Sequence, residues 1–261
     1  MSAAAVLSAT GLTKTFGGVR AVYDVDLDAA AGEIVALIGP NGAGKSTCFA
    51  ILGGQTAPDS GTVRVTGRAV TGKPPHALAR AGVGRTFQLA RVFGSMTVLE
   101  NVQTACLGHV RRGHGLWRRA RHRHRGEAEA LLARVEMTDL AGRPADTLAY
   151  GDVKRLELAM ALAGDPVLLL MDEPTAGMAP DERAAFMRRV AAEARERRRA
   201  VLFTEHDMDV VFGHADRVLV MARGARIAEG PPEAVRADPR VQAVYLGGAS
   251  PAGDPAEAAS C

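Results

Sequence analysis

EIVALIGPNGAGKST, residues 33–47, is an apolar run that stops at a glycine turn and continues into a helix-compatible segment. Residues 34–38 read as a buried strand and residues 45–53 as a helix. The turn between them, GPNGAGKST, satisfies G-x-x-x-x-G-K-[ST] with Gly39, Gly44, Lys45 and Ser46. That pattern carries weight only when a strand precedes it and a helix follows, and both conditions are met. The alternative, a chance glycine turn, explains one of the three parts but not all of them together. Gly42 and Gly44 let backbone N–H groups turn inward and approach phosphate oxygens. The helix N-terminus at Lys45 adds its partial positive charge. Lys45 is then expected to reach the β- and γ-phosphates of a nucleotide, and the Ser46 hydroxyl to coordinate Mg2+.

A second apolar run, VLLLMDEPTAG (167–177), ends in Asp172 and Glu173. As a central strand it would deliver both carboxylates to the carboxyl end of a parallel sheet, where ligands bind. Asp172 is expected in the magnesium shell and Glu173 beside the attacking water as general base. Taken alone, two acids after an apolar run are equally well structural; the phosphate loop upstream favours the metal-and-base reading. His206, in FTEHD, follows the apolar strand 200–204 and could sense the γ-phosphate or hold the base. A lone histidine is more often a packing or surface residue, so its weight comes from its place beside the Asp172 strand. Gln88, in RTFQ, could touch Mg2+ and the water, although a glutamine by itself says little. Phe16, in KTFGG, reads equally as a base-stacking ring or as core packing.

Length and composition set the bounds. At 261 residues with 47% hydrophobic and 23% charged residues, the chain buries a sizeable core. A net charge of +3 is too small to imply nucleic acid. Cys48, Cys106 and Cys261 have neither paired nor metal-like spacing, which predicts free thiols in a reducing compartment. The start, MSAAAVLSATGLTKTF, lacks a basic flank and long apolar core, so no signal peptide is expected. The longest apolar runs fall far short of the ~20 residues that span a bilayer. The expected location is cytoplasmic, with any membrane link made through a partner.

Along the chain, 4–12 and 19–28 read as strands broken by Gly17-Gly18, and 61–67 as another. From about 75 to 165 the pattern is mostly helical, interrupted at 85–96. Strand returns at 166–171, helix at 181–198, strand at 200–204 and helix at 207–213. Two short strands follow at 216–221 and 225–228, then a turn at Gly230-Pro231-Pro232. Residues 248–261, rich in Ala, Gly, Pro and Ser, are expected to be disordered. This is an α/β pattern with no internal repeat, hence one nucleotide site per chain.

Taken together, these residues resemble the ATP-binding subunit of ABC transporters, over about residues 6–247. Phe16 resembles the adenine-stacking aromatic, with Val22 nearby. Residues 39–47 (Gly39, Pro40, Asn41, Gly42, Ala43, Gly44, Lys45, Ser46, Thr47) resemble Walker A and 167–173 Walker B. Gln88 resembles the Q-loop glutamine, and His206 the switch histidine. The resemblance implies a P-loop NTPase core with an antiparallel β subdomain (1–88 and 165–247) and an inserted helical subdomain (89–164). It implies ATP and Mg2+ as ligands, with Ser46, Gln88 and Asp172 around the metal and Glu173, His206 and Gln88 in catalysis. It further implies head-to-tail pairing with a second such ATPase, a heterodimer being favoured and a homodimer the alternative. Each site would then be closed by the other chain's signature, here Ala149, Tyr150, Gly151 and Asp152. Integral membrane permease subunits and, indirectly, a periplasmic solute-binding protein complete the implied partners.

The signature region LAYGDVKRLELAMALA, the stretch DEPTAGMAPDE and the ending EGPPEAVRADPRVQAVYLG resemble the branched-chain amino acid (Liv-type) import ATPases, closest to their G-type subunit. Two positions depart from the general ABC pattern. Ala179 stands at the usual D-loop aspartate and Ala149 at the signature serine, which leaves backbone donors at the helix N-terminus to make the phosphate contact. Both departures are shared by the Liv-type pattern. The basic segment 110–125 holds seven arginines and three histidines and reads first as a solvated face, then as a contact for anionic headgroups or an acidic partner. No nucleic-acid recognition element accompanies it. A soluble ABC-type ATPase acting on ribosomes or nucleic acid is the competing reading; such proteins usually carry two nucleotide domains or long coiled insertions, and this chain has neither.

Overall fold

The structure, a computed structural model, describes residues 5–86, 92–108 and 124–246. Strands β1 (Ala5–Phe16) and β2 (Val19–Ala30) form an antiparallel hairpin across Gly17-Gly18. β3 (Ile34–Ile38) leads into α1 (Lys45–Leu52), and β4 (Ser60–Val65) and β5 (Arg68–Ala69) follow. Next come α2 (Pro75–Arg80), β6 (Val83–Arg85), α3 (Val98–Gly108), α4 (Arg125–Arg134) and α5 (Tyr150–Ala161). β7 (Leu168–Asp172), α6 (Pro180–Arg197), β8 (Ala200–Thr204) and α7 (Met208–His214) continue the α/β alternation. β9 (Arg217–Ala222), β10 (Ala225–Gly230), α8 (Pro232–Ala237) and α9 (Pro239–Leu246) complete the described elements.

Two sheets result. One is antiparallel, in the order β2-β1-β4-β5; the other runs β10-β9-β3-β8-β7-β6. In the second, β6, β7, β8, β3 and β9 are parallel and β10 is antiparallel at the edge. Its central strands β3, β7 and β8 are almost wholly apolar because both of their faces are covered. Ile34, Ala36, Ile38, Leu169, Met171, Val201 and Phe203 pack on one side with α3, α4, α5 and α6. The alternate residues Val35, Leu37, Leu168, Leu170 and Leu202 pack on the other side with α1 and the antiparallel sheet. The period of two within each strand therefore assigns every second residue to a different core.

Helices α3, α4 and α5 pack on one another. α3 begins with a reciprocal cap: Glu100 N donates to Thr97 Oγ1 (3.2 Å), and Thr97 N donates to Glu100 Oε2 (3.0 Å). Fully buried Asn101 accepts from Phe93 N (2.7 Å) and donates to Phe93 O (3.1 Å) and Thr97 O (3.0 Å), which holds the chain entering the helix.

The α/β class with its antiparallel subdomain is as expected, and three local readings are corrected. Residues 83–85 are a strand of the parallel sheet, not part of a helical stretch; three residues with a glycine in the middle are too short to show alternation. The hairpin strands run to residues 16 and 30, longer than expected, because bulges between Ala9 and Lys14 disrupt the pattern without ending the pairing. After Gly230 the chain forms two short helices, the first started by Pro231-Pro232, where only a turn was read.

Candidate nucleotide-binding site

β3, β8 and β7 lie side by side and parallel, so their carboxyl ends bring residues 39–47, 204–206 and 172–173 to one edge of the sheet. No stretch of sequence connects these three segments; the strand order does.

The loop after β3 is shaped by close backbone approach. Gly44 is the N-cap of α1 with φ 100°, and a Cβ there would lie 2.1 Å from Ala21 O. Only glycine fits that position. Gly39 and Ala43 are buried, Pro40, Gly44 and Thr47 half-buried, and Asn41, Gly42 and Ser46 exposed on the rim. Lys45 is nearly buried and donates from Nζ to Gly39 O (2.6 Å) and Pro40 O (3.1 Å). Burial lowers its pKa from the ordinary lysine value, opposed by the charges of Glu173 and Asp172. An ammonium, an exposed loop and the first-turn N–H groups of a helix, which lack intrahelical partners, suit a polyphosphate. The Ser46 hydroxyl and the Asp172 carboxylate are hard oxygen donors of the kind that magnesium takes alongside phosphates.

At the end of β7 the backbone turns sharply. Glu173 adopts φ 47°, uncommon for a residue with a side chain, and its N–H donates to both Thr204 O and Thr204 Oγ1 at 3.1 Å. The Thr204 hydroxyl donates to Asp172 Oδ1 at 2.7 Å. Thr204 thus orients both acids from the neighbouring strand, a role the sequence does not announce beyond a threonine closing an apolar run. His206 follows β8, and its Nε2 lies 2.9 Å from Glu173 Oε1. The histidine side chain is 52% exposed and the glutamate 22%, so the pair faces outward from the sheet edge. Such a pair can hold a water and accept its proton.

Phe16 is 51% exposed and pairs in register with Val19, 70% exposed, which together give an open apolar surface at the hairpin tip. Lys14 Nζ sits 5.4 Å from the Phe16 ring centroid. Val22 corrects the expectation made for it: it is fully buried in the core beneath the hairpin and offers no surface to a base. The register shift between Val25 and Val22 puts both on the buried face, whereas Val19 is exposed at the hairpin tip. Tyr245, from α9, reaches the Gly39 backbone; burial pushes its hydroxyl up to about 12, a hydrogen bond with Gly39 opposing. Its approach to the phosphate loop is invisible in sequence.

Ala149 caps α5 with an extended backbone and no side-chain bond, and Tyr150 is 48% exposed. Asp152 turns its carboxylate to Arg155 on the next turn, and Gly151 lies buried against the Glu182 carboxylate. Ala179 caps α6, its N–H donating to Glu182 Oε2 at 3.3 Å. Gln88, residues 110–123 of the basic segment and the tail 248–261 lie outside the described residues.

Residues 22–176 match the ABC transporter family, and residues 225–250 match the family described as branched-chain amino acid ATP-binding cassette transporter. The chain is 40% identical over 250 residues to the high-affinity branched-chain amino acid transport ATP-binding protein BraF of Pseudomonas aeruginosa, covering 93% of this chain and 98% of that protein. Its structure is similar to the crystal structure of the ADP conformation of MJ1267, an ATP-binding cassette of an ABC transporter, with a TM-score of 0.81, 30% identity and coverage of 94% and 99%. It is also similar to the dimeric structure of MJ0796, a bacterial ABC transporter cassette, with a TM-score of 0.74, 25% identity and coverage of 87% and 98%.

Proposed function

Since the chain belongs to the ATP-binding subunits of ABC transporters, in their branched-chain amino acid branch, we propose that it hydrolyses ATP with Mg2+ to power import of branched-chain amino acids or a related small solute. The observation that carries this reading is the convergence of Lys45, Asp172, Glu173 and His206 at the ends of three adjacent parallel strands. In this proposal the loop 39–47 wraps the phosphates, with the Lys45 ammonium leaving the Gly39 and Pro40 carbonyls for phosphate oxygens. Ser46 and Asp172, with Gln88, would hold magnesium, which neutralises charge developing on the phosphates. Glu173 accepts the proton of the attacking water, and His206 orients Glu173. Phe16, with Val19 beside it, stacks on the base.

The turn Ala149–Asp152 is offered to a second ATPase subunit, through backbone N–H groups because no hydroxyl is present. The core 1–88 with 165–247 and the helical insertion 89–164 are the two units of this proposal. Among the described residues no helix is long and apolar enough to cross a membrane. Attachment to the cytoplasmic face is therefore proposed to go through the permease subunits, which receive cargo from a periplasmic solute-binding protein. Nucleic acid has no part in this reading.

Uptake of radiolabelled leucine tests the proposal in cells lacking the chain. Restoration by the intact chain but not by Lys45→Ala is expected. Purified complex should hydrolyse ATP in Mg2+ and stop in EDTA. Hydrolysis untouched by Lys45→Ala would sink the site assignment; leucine uptake that ignores the chain would sink the cargo.

A further inference from the structure

His206 is flanked by two carboxylates, and each holds one end of the same loop. Glu205 is 4% exposed and takes three donors. Its Oε1 accepts from Thr175 N (2.8 Å) and Thr175 Oγ1 (2.6 Å), and its Oε2 accepts from His206 N (3.1 Å). Thr175 is itself 1% exposed. A buried carboxylate bonded this fully holds its donors firmly, because leaving any of them unpaired away from water is costly. On the other flank, Asp207 caps α7 through Asp209 N (3.0 Å) and is ion-paired with Arg183, whose Nε donates to Met178 O at 2.8 Å.

The loop between these anchors is wound into two turns, Ala176 N to Glu173 O (3.2 Å) and Met178 N to Thr175 O (3.1 Å). It is thus held at both ends and closed on itself. It also touches the turn at the start of α5. Gly177, at φ 79°, lies so close that a Cβ there would sit 3.0 Å from Tyr150 Cε1. Beyond the loop, the Glu182 carboxylate would meet a Cβ at Gly151 at 3.2 Å.

Resting on the reading of Glu173 and His206 as the hydrolytic pair, we propose that Glu205 and Arg183 are positioning residues that tie the loop Thr175–Met178 to His206. Displacement of His206 by the nucleotide in this chain's own site then moves the loop, and through it the Tyr150–Gly151 turn that serves the other site. Alignment of β7 with β8 does not need this clamp, since Thr204 already bonds both Asp172 and Glu173. The clamp acts on the loop segments beyond the strand ends.

Hydrogen–deuterium exchange on the full chain tests this. Without nucleotide, Thr175→Val and Glu205→Gln are expected to speed exchange of amides 175–178 about tenfold, with Thr175→Ser staying within about twofold of the unaltered chain. Valine keeps the volume and loses the hydroxyl, whereas serine does the reverse. Exchange that follows volume, or that rises equally in β3, makes the contacts purely structural and overturns the clamp. With magnesium and a non-hydrolysable ATP analogue, amides 149–152 should slow in the unaltered chain. In Glu205→Gln combined with Arg183→Met they should not, while analogue affinity stays within about twofold. A turn that does not respond in the unaltered chain, or still responds in the variant, overturns the relay. A chain that binds no analogue would overturn the nucleotide reading instead, and the nucleotide-free exchange would still decide the clamp.

Discussion

Nε2 of His206 and Oε1 of Glu173, 33 positions apart in the chain, lie 2.9 Å from each other. The contact exists because β7 and β8 pair in parallel with Asp172 opposite Thr204, which starts both following segments from the same level. Removing the glutamate's charge while keeping its shape should therefore stop chemistry and spare binding. Glu173→Gln is expected to lower kcat by at least about a hundredfold with ATP affinity unchanged, and His206→Ala to lower kcat about as far. Steady-state kinetics with a fluorescent nucleotide titration would check it. A Glu173→Gln enzyme that turns over normally would remove Glu173 from the role of base.

Gly44 tests the shape of the phosphate loop. Its backbone conformation and the 2.1 Å approach of Ala21 O leave no place for a methyl group. Gly44→Ala should cost about 3 kcal/mol, from backbone strain and overpacking together, and should abolish nucleotide binding. Urea unfolding read beside nucleotide titration gives both numbers.

Ala149 occupies an N-cap with the extended backbone that a capping serine needs, yet it offers no acceptor. Ala149→Ser is expected to raise stability by about 1 kcal/mol through a new bond to a first-turn N–H of α5. Hydrolysis at the facing site should stay the same if backbone donors already make the phosphate contact. The two readouts are separable in one set of unfolding and turnover measurements.

His214 gives the fold a pH dependence of predictable sign. Burial, and then the nearby charge of Arg188, lower its pKa from the ordinary value of 6.5. The unfolded chain therefore takes up the proton first as pH falls. This contribution to stability is complete above 6.5 and is lost as pH drops towards the folded-state value. Between about pH 7.5 and about pH 5.5 the urea midpoint should fall more for the unaltered chain than for His214→Asn. Equal falls would place the acid sensitivity elsewhere.

How much of the site was legible depended on whether its chemistry is contiguous. The phosphate loop was readable because its strand, its turn and its helix follow one another directly from Ile34 to Leu52, and hydrophobic run length and glycine placement report on each. The acids at 172–173 and the histidine at 206 were readable as the ends of apolar strands, and the α/β class followed from their alternation with helices. Thr204, Glu205 and Tyr245 were not, because a threonine, a glutamate or a tyrosine in those places has no local pattern. Their partners are fixed by strand order and by where α9 ends.

Val22 shows the same limit from the other side. Alternation along β2 places it correctly in a strand but does not say which face is buried, since each bulge shifts the register by one and reverses the faces. Sequence alone therefore determined the long core strands and helices and the phosphate loop, whose physics is local, but not the short strand β6 or the helices α8 and α9. Only the tertiary structure decided which strands are neighbours, which side of the hairpin faces out, and that Glu173 meets His206, because each of those depends on backbone pairing between segments far apart in the chain.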